Sequence, residues 1–184
     1  THILFVWIFL NILFPMSILS IPFYPNTWDG SQCMQVTMKC VIEYFLHRDI
    51  SLEELDRLTG RKQHLWTRTS QAVTVLYDLW LALKYYSSCD LVLFLEGEPY
   101  IRRHFGDDAE KILKHTDLPV VLQSIDHLLN YNLFEIKVPP LHEIEDHITQ
   151  GHVPIALIDH HKISWAKGSY QWHFIVVTGF DDEY

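Results

Sequence analysis

In residues 33–46, CMQVTMKCVIEYFL, apolar side chains fall at Val36, Cys40, Val41, Tyr44 and Phe45. This helical spacing leaves Gln35, Lys39 and Glu43 on an outer face and predicts a central helix. Ser51 stands three residues before Glu54, a capping-box pair that opens a helix through LEELDRL, and Gly60 supplies its stop. Thr69 or Ser70 can cap a third helix through QAVTVLYDLWLAL, after which KYYSS and LVLFL read as short strands. Two short helices follow, EPYIRRHF and DDAEKILKH, closed by Gly106 and by Leu118-Pro119. A helix through VVLQSIDHLLNY then precedes a strand at FEIKV.

The last third changes period. Pro139-Pro140 introduce the helix LHEIEDHITQ, Gly151 stops it, and VPIALID and WHFIVVTGF are β-branched runs joined by the polar loop HHKISWAKGSYQ. The two runs predict paired strands. Helices therefore fill the first two thirds and strands the end, an α+β order with helices segregated from a sheet. No repeat, low-complexity tract or linker divides the chain.

At 184 residues, with 48% hydrophobic and 20% charged residues, the chain can bury one sizeable core. A net charge of -9, with no basic cluster longer than Arg61-Lys62 or Arg102-Arg103, excludes nucleic acid as a partner. Cys33, Cys40 and Cys89 are an odd set without CxxC spacing, which gives neither a disulfide framework nor a zinc ribbon. A reducing, cytoplasmic compartment fits this usage. The first 25 residues are almost wholly apolar but carry no initiating Met, basic n-region or small-residue cleavage site, so they do not read as a signal peptide. Asn11, Pro15 and Ser17 interrupt them before about 18 apolar residues accumulate. Residues 1–15 are expected to be an upstream extension or a truncated membrane anchor, and residues 16–184 one domain starting near Met16. Anchorage through the apolar N-terminus stands as the alternative location.

Cys33 lies at the first turn of the predicted central helix, where unsatisfied N–H groups and the positive dipole end favour a thiolate. His173, at the start of the HFIVVTG strand, is a candidate base because a strand holds an imidazole in place. The competing reading of Cys33 is a small core thiol. Two other patterns are weaker: LIDHH, residues 157–161, looks like a metal motif but no D-x-D precedes it, and HEIED, residues 142–146, has Asp146 where HExxH needs a second His.

The segments FYPNTWDGSQCMQVTMKCVIEYF, ISLEELDRLTG, LWT, TQGHVPIALID and HFIVVTGFDDE resemble, in order and spacing, papain-like cysteine peptidases akin to the bacteriocin-processing double-glycine peptidases. The resemblance covers about residues 20 to 184. It implies a papain-like α+β fold, with a helical N-terminal part carrying the cysteine helix and a C-terminal antiparallel sheet. It further implies Cys33 as nucleophile and His173 as general base and acid, paired as thiolate and imidazolium, and an amide from the Asn26 to Gln32 loop as oxyanion donor, with Asn26 and Gln32 the candidates. The implied substrate is a peptide or protein, with no metal or organic cofactor.

The chain departs from the family pattern at several places. Met34 follows the cysteine and Trp172 precedes the histidine where many members have Gly, and both would narrow the substrate cleft. Thr27 holds the place where many members carry the oxyanion Gln. The family's orienting acid lies on the strand after the histidine strand, whereas this chain reaches Asp181-Asp182-Glu183-Tyr184 there. Asp181, eight extended residues on, falls roughly 26 Å from His173, so a domain truncated at its C-terminus is expected. The competing class is a peptidase-like module that keeps the cleft but binds a partner without turnover. Within the same fold, acyl transfer or deamidation stays open beside hydrolysis, as does the oligomeric state.

Overall fold

The computed structural model describes residues 4–9, 18–27, 30–165, 167 and 171–181, the first of these segments as backbone alone. Met16, the expected domain start, lies outside the described residues. The chain forms a mixed α+β unit. Strand β1 (Leu4–Phe9) comes first, followed by helices α1 (Cys33–Leu46), α2 (Leu52–Thr59) and α3 (Thr69–Asp78). Strand β2 (Ala82–Ser87) leads into α4 (Leu91–Phe94), α5 (Glu98–Phe105), α6 (Ala109–Lys114) and α7 (Leu118–Asn130). Then come β3 (Phe134–Ile136), α8 (Leu141–Thr149), β4 (Val153–Asp159), α9 (His160–Ser164) and β5 (Trp172–Val176).

The sheet order is β3-β2-β1-β4-β5, antiparallel except for the parallel β2–β3 pair. The strands are therefore drawn from the whole chain, and the expected split into helices first and strands last does not hold. Residues 4–9, part of the run expected as an extension or anchor, form the central strand β1. Among the described residues no helix is long and apolar enough to cross a membrane.

Local chemistry decides where the elements start and stop. Ser51 Oγ accepts from the Glu54 N–H at 3.1 Å, and Gly60 closes α2 in the left-handed region at φ 66°. The helix expected through QAVTVLYDLWLAL instead ends at Asp78. Leu81 N–H returns to the Leu76 carbonyl in a Schellman turn, with Trp80 at φ 67°, and the chain leaves as β2. LVLFL, expected as a strand, is α4 because the Asp90 carboxylate accepts from the Val92 and Leu93 N–H groups. That cap outweighs the β-propensity of so short a run. Asp159 does the same for α9 inside the expected polar loop. Leu118-Pro119 opens α7 rather than merely ending its predecessor, since Pro suits a helix's first turn.

Helix α1 runs through the middle of the core, where Met38, Val41 and Ile42 are fully buried and Met34 and Phe45 nearly so. Burial extends to Gln35, expected on the outer face. Its amide hydrogen-bonds the Thr67 hydroxyl and reaches Thr59 Oγ1 at 3.4 Å. A helix enclosed on most sides needs such partners for its polar positions. Gln71 Nε2, which donates to the Thr59 carbonyl at 2.7 Å, ties α3 into the same cluster. The helix bearing Cys33 is thus pinned to α2 and α3.

Candidate active site

Cys33 is the first residue of α1, and its half-buried thiol sits where two clefts meet. The wider one, about 440 Å³, runs between α1, residues 21–26 and the edge strand β5; Asn26, Thr37, Cys40 and His173 line it. The other is lined by Ser31, Met34, Trp66, Arg68 and Trp172. Met34, 2% exposed, forms its floor beside the thiol. Trp66 and Trp172 stand over it with ring centroids 5.6 Å apart, and His115 stacks on Trp66 at 4.8 Å. Cys33 thus shares one cleft with His173 and the other with Trp172.

Strand alternation governs how β5 presents these residues. Trp172, Phe174 and Val176 pack with the cluster around α1, while Ile175 packs toward Tyr86 and Ala156 on the other face. His173 has the parity of Ile175, and its ring lies 5.3 Å from that of His160, the first residue of α9. Among the described residues, the thiol–imidazole hydrogen bond present is a different one, between Cys89 Sγ and His104 Nε2 at 3.4 Å. The Cys89 thiol is itself buried, at 7% exposure.

Burial pushes the Cys33 thiol above its usual range, and the backbone N–H groups of Phe174, Met34 and Cys33 pull it back in part, as does the Arg61 charge. Burial likewise pulls the His173 imidazole below its usual range, and His160 adds to the effect. Both groups are therefore neutral near pH 7, and not the thiolate–imidazolium pair expected from the resemblance, because burial penalises both charged forms. No carboxylate contributes to the His173 shift. The nearby Asp159 carboxylate is occupied by the N–H groups of His161 and Gln171, at 3.2 and 3.1 Å.

The two amides expected near the oxyanion both hold the loop before α1. Asn26 Nδ2 donates to the Gly30 carbonyl at 3.3 Å, and its Oδ1 accepts from Thr27 N–H at 2.9 Å. Gln32 Nε2 donates to Asp56 Oδ2 at 2.9 Å, leaving its second N–H for another acceptor. Asp56 Oδ2 also receives Arg61 Nη1 at 2.8 Å, and Arg61 Nη2 reaches Ser31 Oγ at 2.8 Å. This partly buried network fixes the loop that leads into Cys33. Sequence reasoning assigned no site role to Arg61 or Arg68, because a short basic stretch in a polar run reads as solvated charge. Position after the Gly60 stop was the one available signal for Arg61.

Among the described residues no group of three or more His, Cys, Asp or Glu side chains could hold a metal ion. His142 and Glu143 lie on α8, and His160 and His161 open α9. No family model, curated protein or solved structure matches this chain.

Proposed function

We propose that this chain is a papain-like cysteine peptidase that hydrolyses a peptide or related amide bond, with Cys33 as nucleophile and His173 as general base and acid. The observation that carries the reading is the placement of a thiol on the first residue of a buried helix, in a cleft that also opens onto His173. Helix N–H groups at that end offer donors for a developing oxyanion. Because thiol and imidazole are both neutral at rest, the proton moves as attack occurs instead of beforehand. The imidazole leaves His160, takes the Sγ proton as sulfur bonds to the carbonyl carbon, and returns it to the departing amine when the C–N bond breaks. Water, deprotonated by the same imidazole, then cleaves the thioester. The spare N–H of Gln32 and the backbone N–H of Cys33 are the donors assigned to the oxyanion; the Asn26 amide orders the loop.

A second reading, a module that binds a peptide without turnover, is favoured by the raised thiol pKa and by the His173 ring resting on His160. Incubation with a mixed peptide pool, followed by mass spectrometry, separates the two. New cleavage products that disappear in Cys33→Ala support the peptidase, and peptide retention without products supports the binding module.

A further inference from the structure

Arg68, the residue before α3, differs from Arg48, Arg61, Arg102 and Arg103, which are ion-paired, and from Arg57, which has no ion pair among the described residues but is exposed to water. Arg61 is paired with Asp56, Arg48 with Glu54, Arg103 with Glu96, and Arg102 with both Glu98 and Glu110. Arg68 has no ion pair among the described residues, although the chain carries a net charge of -9. Its side chain is half-buried and lines both the Trp-walled cleft at Cys33 and the adjoining hollow lined by Tyr85, Cys89 and Phe105. The titratable neighbours that face it there are the thiol of Cys89 and the phenol of Tyr85, each pushed up by burial and therefore uncharged.

A guanidinium cannot shed its proton, and a charge withdrawn from water without a counter-ion is costly. The cost persists in the free protein unless a ligand supplies the anion. Guanidinium geometry selects a carboxylate, which it grips through two parallel N–H···O bonds. The apolar Trp66 and Trp172 walls lower the local dielectric, which strengthens such a contact, and Lys111 Nζ lies 4.9 Å from the Trp172 ring centroid.

We propose that Arg68 is the carboxylate-recognition point of the Cys33 cleft, so that the ligand is a peptide bearing a carboxylate close to the bond presented to Cys33. This deepens the peptidase reading and rests on it for the bond presented to Cys33. The carboxylate belongs either to an acidic side chain or to a peptide C-terminus.

The test uses the whole chain and reads each cysteine by peptide mapping. Alkylation of Cys33 is compared between iodoacetate and iodoacetamide, in the native protein, Arg68→Gln and Arg68→Lys. The iodoacetate-to-iodoacetamide ratio is expected to fall on the order of tenfold in Arg68→Gln and to be largely kept in Arg68→Lys. Protection of Cys33 from iodoacetamide is then measured with acetyl-Gly-Glu-Gly-amide, acetyl-Gly-Gly-Gly with a free C-terminus, and acetyl-Gly-Gln-Gly-amide. Protection by either carboxylate peptide, absent with the Gln peptide and lost in Arg68→Gln, supports the proposal and identifies the carboxylate's source. An unchanged ratio in Arg68→Gln, equal protection by all three peptides, or no protection by any, overturns it. Failure of the peptidase reading shows elsewhere, as a Cys33 reactivity indifferent to His173→Ala, and leaves these charge preferences measurable.

Discussion

Replacing Asp56 with Asn tests the network that holds the Cys33 loop. Asp56 Oδ2 accepts from both Gln32 Nε2 and Arg61 Nη1, at 2.9 and 2.8 Å. The Arg61 side chain is 6% exposed and that of Asp56 25%. Asparagine keeps the shape but leaves a buried guanidinium without its counter-ion, a change that costs about 3–5 kcal/mol at fully buried pairs. Water reaches the Asp56 side of this pair, so the expected loss is near the lower end, about 3 kcal/mol. Urea unfolding followed by tryptophan fluorescence reads it as a lower midpoint at unchanged slope. Arg61→Gln removes the charge that Asp56→Asn would strand, so the double variant is expected to be more stable than the sum of the single losses by about 2 kcal/mol. Arg61→Gln also removes a charge that favours the Cys33 thiolate, and the thiol pKa moves further up. A loss below about 0.5 kcal/mol in Asp56→Asn, or strict additivity in the double variant, would refute the network.

Other outcomes follow from single sites. His152, 8% exposed and hydrogen-bonded to His147 between their Nδ1 atoms at 2.8 Å, has its pKa pulled down to about 4 by burial and then by His147. The unfolded chain takes up this proton below about pH 6.5 while the fold refuses it, so stability present above that pH is lost as pH falls toward 4. The contribution is at most about 3 kcal/mol, and thermal melts of His152→Gln should show a flatter pH dependence over that window. Trp80 is 93% exposed and held at φ 67°, so Trp80→Gly is expected to raise stability by about 1 kcal/mol in the same melts. A decrease would mean that the indole makes contacts worth more than the backbone strain. Met38→Ala, in a fully buried position on α1, should cost about 2–5 kcal/mol by urea titration.

Much of this architecture could be read from local patterns. The Ser51 cap, the Gly60 stop and the apolar period of residues 33–46 act within a turn or two of chain, and α1 and α2 begin and end where those signals put them. VPIALID and WHFIV pair as antiparallel strands for the same reason, since alternation and branching are properties of the segment itself. Interactions across the fold were less legible. Nothing near Gln35 announces that Thr59 and Thr67 will converge on its amide from separate elements. Nor does the apolar run at Leu4–Phe9 reveal a strand between two partners distant in sequence, Ala82–Ser87 and Val153–Asp159. At the site, the chain pattern identified Cys33 and His173 as residues that border one cleft. It could not convey that β5 turns the imidazole toward His160, because the facing of a strand depends on its pairing register.

The most direct test of the central claim is the rate at which a peptidyl acyloxymethyl ketone modifies Cys33, measured across pH in the native chain and in His173→Ala. With a neutral thiol and an imidazole that takes its proton during attack, the native rate should rise through a midpoint below the usual histidine value and level off near neutrality. His173→Ala should slow it on the order of 100-fold near pH 7, with recovery only as the thiol itself ionises in its raised range. Equal rates in the two proteins, both climbing solely with thiol ionisation, would contradict a Cys33–His173 pair and leave the cleft as a binding surface.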